Sequence, residues 1–203
     1  MVHMTDDMGF SDTQVNNPHS TPTPHFGALA RAGIVLSRHH SFKYCSPTRR
    51  SFMSGRFPTL ISQQQAAVCS NLLPLEFTLV SEKLQQAGYQ AHFIGKGHLG
   101  YQTVDHLPIN RGFDSHVGYF HGQEDYANAS NRASRQGGAR DMWQDHRPGD
   151  AVAGEIHYST NFYTTRAVQL LEARNTSRPF FLHMPWQAVH APCTRQHTTD
   201  PRL

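Results

Sequence analysis

A cysteine stands in the stretch Tyr44-Cys45-Ser46-Pro47-Thr48-Arg49-Arg50, with two arginines close behind it. Nearby cations favour the thiolate, so Cys45 reads as a nucleophile or as one member of a basic loop. Asp6 and Asp7 are adjacent carboxylates. Such a pair can ligate a hard cation, Ca²⁺ or Mg²⁺, through oxygen, and it can equally cap a helix or shape a turn. Lys96 and His98 are two apart and face the same way in an extended segment. A lysine ammonium binds anions and a histidine moves protons. Gly95, Gly97 and Gly100 around them also suit an exposed turn. His190 follows an apolar run and precedes Ala191-Pro192, a place where packing histidines are common.

The totals remove several classes. The chain has 203 residues and a formal net charge of +3, too small to argue for a nucleic-acid partner. Arg132, Arg135, Arg140 and Arg147 are scattered, with no aromatic platform beside them. No apolar run is long enough to span a membrane, and Met1 to Phe10 has no signal-peptide core. Three cysteines are too few for a disulfide scaffold, and Cys69 and Cys193 remain as a conceivable pair if Cys45 is chemically special. The 15 histidines make metal or acid–base chemistry worth a search. Asn128-Ala129-Ser130 and Asn175-Thr176-Ser177 fit the N-glycosylation pattern, a weak sign of a secretory route.

These residues need elements to position them. Val2 to Met4 reads as the end of a strand that runs into Asp6-Asp7. Thr23-Pro24 opens a helix with an apolar stripe of Phe26, Leu29 and Ala30, closed by Gly33. Ile34-Val35-Leu36 is expected to be a strand, and Arg49 to Ser54 a helix. Thr78 to Ala87 is a helix stopped by Gly88, and Tyr89 to Ile94 a strand. Residues 121–150 are rich in Gly, Asp, Asn, Arg and Gln and read as a surface loop or insertion. Ser159 to Arg174 is a helix, and Pro179 to Val189 begins as a buried strand. This order favours an α/β fold with a largely parallel sheet. Asp6-Asp7, Lys96 with His98, and His190 would each follow the C-terminal end of a strand, where open α/β sheets bind ligands.

The cysteine loop is not that of the cysteine phosphatases, whose arginine would fall at position 51, where this chain has Ser51. With no second cysteine near, it is not a zinc site either. The spacing Cys45-x-Pro47-x-Arg49, followed by Ser51-Phe52-Met53-Ser54-Gly55-Arg56, resembles the motif of the type I, formylglycine-dependent sulfatases. Met4 to Phe10 resembles the metal-binding start of those enzymes, and Thr23-Pro24-His25-Phe26 their next helix. Ala87 to Gln90 and Gly95 to Gly100 resemble their Lys-x-His segment. Arg111-Gly112-Phe113-Asp114, Gly118-Tyr119 and Glu124-Asp125-Tyr126 resemble the arylsulfatase B (N-acetylgalactosamine-4-sulfatase)-like branch. Phe180 to Pro192 resembles the strand that brings in a further active-site histidine. The motifs run in family order along nearly the whole chain.

The resemblance implies an alkaline-phosphatase-like α/β sandwich with a mostly parallel central sheet. It implies a sulfuric ester hydrolase in which a formylglycine-generating enzyme converts Cys45 to an aldehyde. Asp6, Asp7 and modified residue 45 would hold Ca²⁺, with Mg²⁺ as the alternative. Arg49 would stabilise the aldehyde hydrate, Lys96 and His190 would contact sulfate, and His98 would take a proton to release it. The substrate would be a sulfated glycan or an aryl sulfate, and the location lysosomal or secreted, with no targeting signal in the chain. Related metal sites also turn over phosphate and phosphonate esters, and a catalytically silent remnant is the other expectation. Members of the family are much longer, so residues 1–203 are expected to be a partial N-terminal catalytic domain. The remaining metal ligands and a small C-terminal domain would lie outside it. Gly97 stands where the family carries tryptophan, which is expected to loosen that loop, and the first strand is expected at the centre of the sheet.

Overall fold

The computed structural model describes residues 1–61, 72–130, 140–149 and 155–192. Six strands form one sheet in the order β1-β6-β2-β3-β4-β5. They are β1 (Val2–Met4), β2 (Gln90–Lys96), β3 (Ser115–Tyr119), β4 (Trp143–Gln144), β5 (Arg147–Pro148) and β6 (Phe180–Pro185). The pairs β1·β6, β6·β2 and β2·β3 are parallel, and the short hairpin of β4 and β5 adds an antiparallel margin. Among the described residues four α-helices accompany them: α1 (Pro24–Ala32), α2 (Cys45–Ser54), α3 (Val80–Gln86) and α4 (Ser159–Ala173).

Alternation along the strands divides the core in two. Ala91, Phe93 and Phe181 point to one face, where they meet Met53 of α2 and Leu79 beside α3. Ile94, Leu182 and Met184 point to the other, against Phe162, Tyr163 and Ala167 of α4. The result is a three-layer α/β sandwich with a mostly parallel sheet. Gly95 allows the central strands to approach closely: it has φ +123°, and a Cβ there would stand 2.3 Å from the Pro185 carbonyl oxygen.

Several expectations change. Ile34-Val35-Leu36 is not a strand; it is an exposed segment without regular structure, with Ile34 89% accessible. Among the described residues no strand pairs with it, so β-branched composition alone does not make it one. The Phe26 and Leu29 stripe of α1 is exposed as well. The first strand lies at an edge of the described sheet and pairs with β6 alone. β3 has no counterpart in the sequence reading, because His116 and Gly118 interrupt its apolar pattern. Within 121–150, Glu124, Asp125, Tyr126, Ala129 and Met142 are buried, and β4 and β5 form. Cys69 and Cys193 lie outside the described residues. Among the described residues no helix is long and apolar enough to cross a membrane.

Candidate active site

Helix α2 begins at Cys45 itself, earlier than the Arg49 start expected. Pro47 fits there because an N–H in the first helical turn has no partner within the helix. The Thr48 hydroxyl donates to the Tyr44 carbonyl at 2.9 Å and steadies the same turn. Cys45 therefore occupies the helix N-terminus, where the peptide dipoles favour negative charge. Arg49 follows at i+4, which places it on the same helix face.

That face meets the C-terminal ends of β1 and β2. Lys96 is the last residue of β2, not a residue beyond it, and it is fully buried. Its Nζ donates to Asp6 Oδ2. Arg49 Nη2 lies 3.5 Å from the same oxygen, and Arg49 Nη1 donates to the Lys96 carbonyl at 3.1 Å. Burial pushes the Lys96 pKa down, the Arg49 charge pushes it further, and Cys45 and Asp6 oppose the shift.

His98 turns back through a left-handed backbone (φ +55°), so the segment is not extended through it. The turn nevertheless sets His98 Nδ1 3.1 Å from Cys45 Sγ, in hydrogen-bond contact. Burial, followed by the charges of Lys96 and Arg49, lowers the His98 pKa to about 3. The imidazole is neutral at neutral pH. The Gly97 loop is tied by its backbone: Gly97 N–H donates to the Tyr119 carbonyl at 2.7 Å, and His98 N–H to that of Phe120 at 3.2 Å.

Asp7 and His190 form a second, outer pair, with His190 Nε2 3.6 Å from Asp7 Oδ2. Backbone bonds carry the β1·β6 ladder into this region: Asp6 N–H donates to Ala188 O at 3.0 Å and Val189 N–H to Asp6 O at 2.8 Å. Asp6, Asp7, Cys45 and Arg49 line one open cleft of about 630 Å³, together with His39 and His40. Those two histidines were not singled out in the sequence, where nothing distinguishes them from the other histidines. Arg50, read in the sequence as the second cation behind Cys45, is buried, which lowers its pKa to about 10, and its charge reaches His98. Beside His98, Tyr101 Oη lies 2.5 Å from His121 Nε2, and His121 Nδ1 lies 2.6 Å from Asp141 Oδ2.

Ca²⁺ takes about six to eight oxygens. Among the described residues no group of three or more His, Cys, Asp or Glu side chains is placed to hold a metal ion. Asp6 and Asp7 supply two carboxylates, and Asp6 is already engaged by Lys96 and Arg49. These residues alone do not fit a complete calcium site.

A family model described as Sulfatase matches residues 2–201. The chain belongs to the sulfatase family. This sulfatase chain is 31% identical over 192 residues to arylsulfatase J of Mus musculus, covering 93% of the chain and 32% of that relative. It is 31% identical to arylsulfatase G of Homo sapiens, covering 95% of the chain and 41% of the relative. N-acetylgalactosamine-6-sulfatase of Mus musculus matches at 28%, with 93% and 39% covered. The matches therefore cross several sulfatase subtypes and single out no branch. Among solved structures, Ps i-CgsB in complex with k-i-k-neocarrahexaose superposes with a TM-score of 0.76 at 25% identity, covering 94% of this chain and 45% of that one. BT4656 in complex with its substrate D-glucosamine-2-N,6-O-disulfate superposes at 0.69 and 25%, covering 93% and 34%. The sulfatase chain thus spans between 32% and 45% of the length of these relatives.

Proposed function

We propose that this chain carries the nucleophile side of a formylglycine-dependent sulfatase centre that removes sulfate from a sulfated carbohydrate or aryl sulfate. The observation that carries the reading is Cys45 at a helix N-terminus, in contact with His98 and on one face with Arg49. On conversion of Cys45 to formylglycine by a generating enzyme, the hydrated aldehyde offers two hydroxyls. One attacks sulfur, and the S–O bond to the alcohol breaks. His98, neutral by its surroundings, takes the proton of the second hydroxyl. The bond from carbon to the sulfate oxygen then breaks, sulfate leaves and the aldehyde returns. A serine or an unmodified thiol lacks that second hydroxyl. Lys96 and Arg49 give the inner site two cations against one Asp6 carboxylate, an excess suited to sulfate oxygens. His190 would contact the sulfate and give a proton to the leaving alcohol.

The two solved relatives held with sulfated or carrageenan-type sugars support a glycan substrate. The sequence marks of Arg111 to Asp114 and Glu124 to Tyr126 support an arylsulfatase B-like specificity, with a lysosomal or secreted location. The test is peptide mapping across Tyr44 to Arg49 in protein from its native source, with release of sulfate and phosphate from matched aryl esters. An aldehyde at position 45 with sulfate release is expected. Phosphate release alone would move the chain to the phosphate-ester reading, and an ordinary thiol at Cys45 would end the enzyme claim.

A further inference from the structure

Gly97 leaves the loop before His98 without a side-chain anchor. The loop is nevertheless pressed against residues 119–122. A Cβ at Gly97 would stand 3.0 Å from the Tyr119 carbonyl oxygen, and one at Gly122 would stand 2.8 Å from Cε1 of His98. The His98 N–H donates to the Phe120 carbonyl at 3.2 Å. Phe120 therefore sets the backbone of His98, and Gly122 backs its ring. Asp141 in turn fixes this wall. Its Oδ2 accepts the Phe120 N–H at 3.1 Å and the His121 N–H at 2.7 Å, and lies 2.6 Å from His121 Nδ1. An oxygen already accepting two donors takes the third from a protonated Nδ1, which leaves Nε2 to accept the Tyr101 hydroxyl at 2.5 Å. Tyr101 also stacks on Phe120, with ring centroids 5.6 Å apart. Asp141 is itself buried; its N–H donates to Ala129 O at 3.1 Å, and Met142 beside it belongs to the core against α4.

The turn of His98 is thus gripped at two points, its own N–H and the Tyr101 hydroxyl, and Asp141 stands behind both. We propose that Asp141, His121 and Tyr101 form a clamp of positioning residues for His98, which holds its imidazole against residue 45. The clamp takes the place of the side-chain anchor that Gly97 lacks. The inference deepens the sulfatase reading, on which it rests for the role of His98.

The contact of His98 Nδ1 with Cys45 Sγ at 3.1 Å gives the readout. In the 203-residue chain with ¹⁵N-labelled imidazoles, Cys45→Ala should shift the His98 Nδ1 resonance. Asp141→Ala removes all three bonds to Oδ2, and in that background Cys45→Ala should leave His98 unmoved. Asp141→Asn keeps an acceptor oxygen and should restore the shift. The resonance of the buried His183 ring should stay in place throughout, as the sign of an intact core. A folded Asp141→Ala that keeps the full Cys45→Ala shift overturns the proposal. So does an Asp141→Asn as disturbed as the alanine variant, or a wild type in which Cys45→Ala does not move His98. If Asp141→Ala does not fold, His121→Phe decides, because it keeps a ring beside Tyr101 and loses both side-chain bonds. A reduced shift supports the clamp, and a full one overturns it. Sulfate release is read separately, on wild-type chain carrying formylglycine at position 45. No release, with the His98 shift still dependent on Asp141, overturns the sulfatase reading and leaves the positioning role standing.

Discussion

Lys96, Asp6 and Arg49 place two positive charges and one negative charge in a buried position, and the imbalance decides which substitution hurts most. Asp6→Asn strands both cations, and removing one partner of a buried ion pair costs about 3–5 kcal/mol. Lys96→Met leaves a balanced pair, Asp6 with Arg49, and should cost clearly less. Urea unfolding of the two variants compares them directly; a costlier Lys96→Met would mean that Arg49 does not serve Asp6. The chemistry-bearing residues were legible because their types and spacings are local: Cys45 with Arg49 at helical spacing, Lys96 with His98, Asp6 with Asp7. Their partners were not. Asp6 and Lys96 meet across 90 positions, and no local pattern announces that contact. Glu124 was legible only as part of a family-like string, since its burial depends on β3 and α4 together.

Elements with strong periodicity came through: α4 and the strand at Phe180 match their expected positions to within a few residues. Ile34-Val35-Leu36 failed because a strand needs a neighbour, and β3 was hidden by the histidine that now distinguishes it. His183 of β6 and His116 of β3 flank Phe93 of β2 in register across the sheet. Both rings are buried, their centroids 5.1 and 5.2 Å from that of Phe93. Burial lowers each pKa to about 3, with Arg49 adding to the effect at His183. The unfolded chain binds protons at these histidines below about pH 6.5 and the folded chain does not, so stability falls as the pH drops from there towards 3. At pH 5 each contributes a loss of about 2 kcal/mol. Glu124 works in the opposite direction, since its raised pKa favours the folded state at lower pH. Denaturant unfolding at pH 7.5 and 5 should therefore show an acid loss, and His116→Phe should reduce it by about one histidine's share. An unchanged loss in that variant would mean that His116 already takes up its proton in the folded protein.

At the scale of the whole molecule, the three-layer sandwich gathers the candidate groups at the C-terminal ends of the parallel strands. Residues 1–203 bring two carboxylates to it and span 32% of arylsulfatase J and 41% of arylsulfatase G. With Asp6 engaged by two cations, calcium binding by this chain should be weak. A ligand at or below its dissociation constant stabilises by no more than about 0.4 kcal/mol. Thermal unfolding in millimolar calcium and in excess chelator should give the same midpoint within about 1 °C. A rise of several degrees with calcium would show that Asp6 and Asp7 suffice for a site.

The pairing of Val2 with His183 also orders events in time. Asp6 meets Ala188 and Val189 only after Val189 has been synthesised, and contacts so distant in sequence close late. In the finished fold Arg49 is only 2% accessible, and Ser46 is buried within the first turn of α2. On the proposed function, a modifying enzyme that needed the Arg49 side chain as well as Cys45 would find it free before the fold closes and buried afterwards.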